Sequence, residues 1–246
     1  MDLERWAAAA GDLLLGASCH GCGVAWWGVC PRCRELVAPR RPYVTQPDPV
    51  PTGFPRTVTS STYDEVLRNV IVAHKDRQAL TLSRFLAERL ALSVHALLSA
   101  YAGSTRARAV TLVPVPSAAA AVRRRGFDAT WRMARLAARR LRVRHPVVAR
   151  QLLEQRRGVL DQAGLDAGQR AANIGHGFRL RTRSDAVLVV LVDDVVTTGA
   201  SLTEAARVLG RAGIAVLGAA TVAATVRRRP TGPRRLGAAA EERGAD

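Results

Sequence analysis

One continuous segment, residues 189 to 201, constrains the fold more than any other part of the chain. It reads Val-Val-Leu-Val-Asp-Asp-Val-Val-Thr-Thr-Gly-Ala-Ser. The apolar run predicts a buried strand of a parallel sheet, and the small residues that follow predict a loop that begins a helix. Ligands of open parallel sheets bind beyond the carboxyl ends of the strands. We therefore expect a ligand site where Asp193 and Asp194 follow the strand.

The loop after the acids has the composition of an anion site. Backbone N–H groups at a helix N-terminus converge on an anion, a glycine permits close approach, and hydroxyls add donors. The predicted phosphate-binding residues are Thr197, Thr198, Gly199, Ala200 and Ser201. This composition favours a monophosphate.

The acidic pair needs a different partner, because a phosphate would repel carboxylates aimed at it. Asp193 and Asp194 are predicted to accept hydrogen bonds from ribose hydroxyls. An alternative is structural: Asp193 caps a turn, Asp194 is solvated, and the threonines only N-cap the helix. The order of strand, acids, loop and helix favours the phosphoribosyl interpretation.

Periodicity along the rest of the chain indicates an α/β fold. Apolar runs predict strands at 110–115, 187–192 and 214–224, and spacing of three to four predicts helices at 65–73, 80–98, 118–141 and 201–210. Ferredoxin-like and doubly wound arrangements both fit this alternation. We favour a doubly wound, mostly parallel sheet covered on both faces.

Four cysteines form two C-x-x-C pairs, and no other cysteine occurs in the chain. The residues are Cys19, Cys22, Cys30 and Cys33, with turn-forming glycines and Pro31 in or beside the pairs. This spacing predicts a tetrahedral, structural Zn²⁺ site with no open position for catalysis. Two vicinal disulfides or a redox pair are the alternatives.

Composition changes suggest four segments. We predict an N-terminal helix and zinc finger at 1–38, a proline-rich linker at 39–55, the main domain at 56–226 and a disordered basic tail at 227–246. The helix is expected within residues 3–15.

Charge and hydropathy exclude some classes of protein. The net charge is +17, but 48% of the residues are hydrophobic, so the chain is expected to fold rather than remain disordered. No apolar run is long enough to cross a membrane, and the N-terminus lacks the features of a secretory signal. We therefore expect a cytoplasmic protein.

Basic residues are concentrated between residues 121 and 157. Val115 and Pro116 at a strand end, followed by Arg123 and Arg125, are predicted to meet a diphosphate. A stripe of arginines further along, Arg139, Arg140 and Arg142, is predicted to bind nucleic acid through phosphates. The alternative is a solvated helix face in an arginine-rich composition.

A segment at 156–173 is rich in Gly, Gln and Asp and has little periodicity. It resembles the mobile loop that closes over a reacting centre and excludes water, in which Gln162, Arg170 and Asn173 are the candidate residues. An ordinary surface loop is the alternative.

The strand, acidic pair and Thr-Thr-Gly loop resemble the signature of the type I phosphoribosyltransferases. More closely, the chain resembles the ComF family, which joins such a domain to an N-terminal four-cysteine finger. The resemblance covers roughly residues 17–226 and includes Tyr63, Arg68, Ile71, Lys75, Val113-Pro114-Val115-Pro116, Arg125-Gly126-Phe127, Gln162, Arg170, Asn173 and Phe178. Two positions depart from the family pattern: Asp128-Ala129 replaces an Asn-Gln pair, and a threonine is missing near residues 159–160.

The resemblance implies a function. The protein is expected to bind 5-phosphoribosyl 1-diphosphate or a related phosphosugar, with Lys75 near the diphosphate and Mg²⁺ accompanying it. It also implies a link to DNA uptake in natural transformation. The alternative is a scaffold without turnover that holds single-stranded DNA beside a competence helicase.

Overall fold

The structure is a computed structural model that describes residues 17–38, 41–77, 79–101, 109–156, 177–181 and 188–225. The helices are α1 (Pro31–Leu36), α2 (Glu65–Asp76), α3 (Leu82–Ala100), α4 (Ala119–Arg125), α5 (Ala129–Leu141) and α6 (Ala200–Arg211). The strands are β1 (Tyr43–Thr45), β2 (Thr57–Thr62), β3 (Val110–Pro114), β4 (Val147–Ala149), β5 (Leu153–Gln155), β6 (Phe178–Leu180), β7 (Leu188–Val196) and β8 (Ala215–Ala224).

Six strands form one sheet in the order β1-β2-β8-β7-β3-β4. Every neighbouring pair is parallel except β1 with β2, which is antiparallel at the edge. Strands β5 and β6 form a separate antiparallel hairpin. The mixed α/β fold with a mostly parallel sheet, expected from the sequence, is confirmed.

Helices cover both faces of the sheet. On one face α3 packs against β2, β8 and α5, and on the other α6 packs against β7, β8 and the hairpin strand β6. From β3 the chain continues to β4 at one edge of the sheet, whereas from β7 it continues to β8 in the opposite direction across the sheet. Strands β3 and β7 are adjacent, so their carboxyl ends flank a topological switch point, where such sheets bind ligands.

Two predicted boundaries were wrong. The strand predicted at 187–192 continues through both acids to Val196, so the acidic pair belongs to the strand. The single helix predicted at 118–141 is broken between α4 and α5. Gly126 ends α4 with φ +74°, and the side chain of Asp128 accepts a hydrogen bond from the backbone N–H of Trp131 at the start of α5.

Strand β2 was not predicted, because its Thr-Val-Thr-Ser-Ser-Thr sequence lacks an apolar pattern. Most of its side chains are buried, and Ser60 Oγ donates a hydrogen bond to the carbonyl of Arg89 at 3.0 Å. Strand β1, which pairs with β2, lies inside the predicted linker at 39–55. That segment therefore contributes an edge strand to the sheet.

Three predictions fall outside the described residues: the helix at 3–15, the loop residues Gln162, Arg170 and Asn173, and the tail at 227–246. Within the described ranges, every helix is too short or too polar to traverse a lipid bilayer.

Candidate functional site

The four cysteines converge on one point. The Sγ atoms of Cys19, Cys22, Cys30 and Cys33 all lie within 4.8 Å of one another. Tetrahedral Zn²⁺ with Zn–S bonds of about 2.3 Å requires S···S separations of about 3.8 Å, and Cys22 Sγ and Cys30 Sγ are 3.8 Å apart. All four thiols are free of disulfides. The donor set therefore fits a structural zinc site, as the spacing predicted.

Backbone amides donate hydrogen bonds to two of these sulfurs. The N–H groups of Gly21 and Cys30 donate to Cys19 Sγ at 3.4 and 3.3 Å, and the N–H of Cys33 donates to Cys30 Sγ at 3.4 Å. Burial acts to raise the pKa of the Cys19 thiol, but these donors and the neighbouring cysteines lower that pKa to about 7. The thiolate of Cys19, the form that binds zinc, is therefore accessible at neutral pH, whereas burial raises the pKa of the Cys30 and Cys33 thiols.

The acidic pair lies near the carboxyl end of β7, where its two carboxyl groups are adjacent and one of them contacts a lysine. Asp193 Oδ1 accepts the N–H of Asp194 at 2.8 Å, and Asp194 Oδ1 accepts the N–H of Val195 at 2.9 Å. The ammonium of Lys75, on α2, lies 2.5 Å from Asp194 Oδ2. The side chain of Asp194 is 8% exposed and that of Lys75 is 32% exposed.

Burial and charge separate the two carboxyl groups. Burial, followed by repulsion from Asp194, raises the pKa of Asp193 well above its ordinary value. Burial also disfavours ionised Asp194, but the Lys75 ammonium outweighs it and lowers the pKa of Asp194. At neutral pH Asp194 is therefore the firmly ionised member, while Asp193 is the carboxyl group that gains most from a hydrogen-bonding or cationic ligand.

The loop after β7 presents exposed hydroxyls beside a helix N-terminus. Thr197 and Thr198 are exposed, and Gly199 is the N-cap of α6 with φ +75° and no side-chain cap. Thr198 Oγ1 makes only a long contact of 3.5 Å with the N–H of Ala200. The alternative in which these threonines serve as the N-cap is thus not what the structure shows.

The ring of Phe54 packs on this loop, a contact that the sequence did not predict. A Cβ at Gly199 would lie 2.7 Å from the ring of Phe54 and 2.9 Å from Pro47. Both residues lie in the proline-rich segment at 39–55, which therefore packs on the loop. Position 199 requires glycine for two reasons, the positive φ and the absence of space.

Lys75 and Arg125 were both predicted near the diphosphate; Lys75 contacts Asp194, and Arg125 contacts Asp76, the neighbour of Lys75. Arg125 Nη2 donates to Asp76 Oδ1 at 2.8 Å, and its side chain is only 13% exposed. Asp76 directly follows Lys75 at the end of α2, so Arg125 is anchored beside the Lys75–Asp194 pair. The backbone N–H of Val115, which was predicted to meet the diphosphate, donates instead to the carbonyl of Val192 at 2.9 Å.

Pro116 and Arg123 lie in the wall of a cavity of about 920 Å³ at the carboxyl end of β3. One side of its described lining is formed by α4 and the segment between β3 and α4, and the other side by the β5–β6 hairpin and the residues next to it. Polar lining residues include Ser117, Asp128, Gln151, Gln155, Arg156, Arg179 and Arg181. The cavity borders the switch point, and the acids and the loop after β7 are not among its described lining residues.

Two of the arginines predicted to bind nucleic acid line neighbouring but different depressions. Arg139 lines a groove of about 520 Å³ between α3 and α5, together with Arg84, Arg132 and Arg135. Arg140 lines a different depression and lies 3.2 Å from Glu88. Arg84 was missed because it lies on another helix, far away in the sequence.

Two histidine contacts also emerge only in the structure. His74 is buried, its Nε2 lies 2.9 Å from Ser83 Oγ, and burial lowers its pKa to about 4. Ser83 Oγ also accepts from Arg132 Nε at 2.9 Å. His95 Nδ1 and His145 Nε2 lie 2.8 Å apart. His74 is therefore neutral at physiological pH and supports α2 rather than carrying charge.

Comparison with known families agrees with this geometry. Residues 135–235 match the family model described as the phosphoribosyl transferase domain. The matched range begins in α5 and includes β7, the acidic pair, the loop at 197–201, α6 and β8. No curated protein matches the chain. The chain therefore carries a phosphoribosyltransferase-type domain together with an N-terminal four-cysteine cluster.

Proposed function

We propose that this protein is a phosphoribosyltransferase of the ComF kind that binds 5-phosphoribosyl 1-diphosphate or a related phosphosugar. One observation carries the proposal. The acidic pair and the threonine loop both come from the end of β7, at the switch point beside β3, with Lys75 placed on Asp194. A ribose and its 5-phosphate have the size and chemistry to fit these two neighbouring groups.

Each group has a distinct role in this proposal. Asp193 and Asp194 accept hydrogen bonds from the ribose hydroxyls, and Lys75 keeps Asp194 ionised so that it remains an acceptor. The hydroxyls and amides from Thr197 to Ser201 hold the 5-phosphate, where the start of α6 adds a favourable dipole.

The diphosphate would lie toward the end of β3, near Pro116, Arg123 and Arg125. Mg²⁺, entering with the substrate, would neutralise the diphosphate as it leaves. The bond between the anomeric carbon and diphosphate breaks as a nucleophilic acceptor bonds to that carbon. Binding by the chain holds the sugar in position and stabilises charge on both fragments.

Calorimetry with millimolar 5-phosphoribosyl 1-diphosphate and ribose 5-phosphate, with and without Mg²⁺, tests this proposal. The double variant D193A/D194A should lose about tenfold to a hundredfold in affinity for each charged hydrogen bond removed. T198A should weaken phosphate-bearing sugars and leave ribose unaffected. S99A, an exposed hydroxyl deletion at the end of α3, is the matched control. Absence of any response from the wild-type protein would refute the ligand assignment.

A second candidate function is binding of single-stranded nucleic acid without turnover. The observation in its favour is the groove between α3 and α5, whose described lining has four arginines and no acidic residue. Phosphates would bind along Arg84, Arg135 and Arg139, and Trp131, whose ring lies 5.8 Å from the Arg135 guanidinium, offers one stacking surface. In this proposal the protein acts in the cytoplasm beside a competence helicase, and Arg140 and Arg142 extend the surface.

Salt dependence separates this candidate from nonspecific charge. Replacing Arg84, Arg135 and Arg139 together by Ala should flatten the slope of log affinity against log salt by about two units, since each phosphate contact contributes about 0.7. Replacing Arg140 and Arg142 should change the slope less, because Arg140 is paired with Glu88. Release of diphosphate on addition of acceptor bases distinguishes turnover from scaffolding.

A further inference from the structure

The four-cysteine finger is seated directly on α2. The carbonyl of Gly21, inside the first C-x-x-C pair, accepts a hydrogen bond from Asn69 Nδ2 at 3.0 Å. A Cβ at Gly21 would lie 2.9 Å from both Cys33 Sγ and Val66 Cγ1. The backbone of the metal-binding turn is therefore packed against α2 without space between them.

The finger also contacts α3. The guanidinium of Arg89, only 4% exposed, donates from Nη2 to the carbonyl of Val37 at 2.7 Å and lies 3.6 Å from the centre of the Phe85 ring. Cys19, Cys30, Cys33 and Val37 belong to the same buried apolar cluster as Leu67 and Val70 of α2. The finger is thus part of the main core rather than a separate appendage.

The opposite end of α2 reaches the candidate ligand site. Lys75, in its last turn, pairs with Asp194, and the following Asp76 accepts the hydrogen bond from Arg125. One helix of twelve residues therefore contacts the metal-binding turn near its start and the acidic pair at its end. A helix transmits a change of position along its length because its backbone is rigid.

We infer that the metal-loaded finger positions the ligand site through α2, with Asn69 as the positioning residue that holds the helix and so keeps Lys75 on Asp194. Loss of the metal lets the turn at Gly21 move, so that its hydrogen bond with Asn69 on α2 is lost. The Lys75–Asp194 ion pair at the other end of α2 is then weakened. The coupling rests on the proposed function in one respect only: that the acidic pair binds a phosphosugar.

The test uses the full-length, zinc-loaded protein and two variants. N69D keeps the size of Asn69 but removes the N–H donor to Gly21. R68A is the control, because Arg68 is exposed on the same helix and makes no side-chain hydrogen bond or ion pair within the described residues. Three quantities are measured: amide hydrogen exchange of residues 65–76, the titration of the Asp194 carboxyl group by its ¹³C shift, and affinity for ribose 5-phosphate.

N69D should speed exchange in the last turns of α2, raise the pH midpoint of Asp194 and weaken ribose 5-phosphate by about threefold to tenfold. R68A should change none of these. Removing zinc with a chelator, while far-UV circular dichroism confirms that the main domain stays folded, should reproduce the N69D result. Unchanged exchange and titration in both N69D and metal-free protein would overturn the inference. If the wild type binds no sugar phosphate, the proposed function fails, but exchange and titration still decide the coupling.

Discussion

Replacing Lys75 by Met should destabilise the unliganded protein, because it leaves the Asp194 carboxylate buried without its counter-charge. Asp194 is 8% exposed and its Oδ2 lies 2.5 Å from the ammonium of Lys75. Removing one partner of a buried pair costs about 3 to 5 kcal/mol. Since the Lys75 side chain is 32% exposed, solvent screening reduces the expected loss to about 2 to 3 kcal/mol.

A double-mutant cycle isolates the pair. D194N should cost only about 1 kcal/mol, because Lys75 is partly solvated and remains attracted to Asp193. K75M/D194N should cost about 1 to 2 kcal/mol, which leaves a coupling energy of about 2 kcal/mol between the two residues. The measurement is urea unfolding of zinc-loaded protein at pH 7.5, followed by circular dichroism and tryptophan fluorescence.

The pH dependence of this loss has a defined sign. In the wild type the pKa of Asp194 is lowered, so its stabilising contribution is present above the unfolded pKa and disappears as pH falls through the folded pKa. In K75M burial dominates and raises that pKa, so the destabilisation is full at pH 7.5 and shrinks on acidification. A K75M protein within about 0.5 kcal/mol of wild type at pH 7.5, or a cycle without coupling, would refute this account of the site.

Three further predictions follow from the same geometry. Metal analysis of protein purified under reducing conditions should find one zinc per chain, and C22S should lose it and expose the finger to proteolysis; protein with no zinc contradicts the metal site. G199A should lower the free energy of unfolding by about 1 to 3 kcal/mol through its positive φ and its clash with Phe54, and G199A/F54A should not recover the full loss because φ remains strained; a neutral G199A contradicts the packing seen here. D193N should stabilise the unliganded protein by about 1 kcal/mol at pH 7.5 while weakening sugar binding. Because the folded pKa of Asp193 is raised, its carboxyl group destabilises the fold increasingly as pH rises above the unfolded pKa, so the gain should vanish as pH falls toward 4, and a pH-independent gain would argue against this cause.

Features encoded within a short stretch of chain were predictable from the sequence. The two C-x-x-C pairs bring four thiols together because each pair closes a tight turn, and the strand, acids, loop and helix at 188–211 follow from local hydrophobicity, propensity and a glycine. The alternation of strands and helices was enough to predict the mostly parallel sheet. Strand β2 was not predictable, because a buried hydroxyl such as that of Ser60 has a partner on α3 that only the folded chain supplies.

The composition of the site was decided by tertiary structure. Lys75 reaches Asp194 only because α2 ends beside β7, Phe54 covers Gly199 only because the proline-rich segment folds back over the loop, and Arg84 joins Arg139 only because α3 lies along α5. Periodicity reports which face of an element is buried, but it carries no information about which distant element covers that face. Charge pairing between residues far apart in the sequence is therefore fixed by the topology of the sheet and the packing of helices on it, and not by any local pattern of residues.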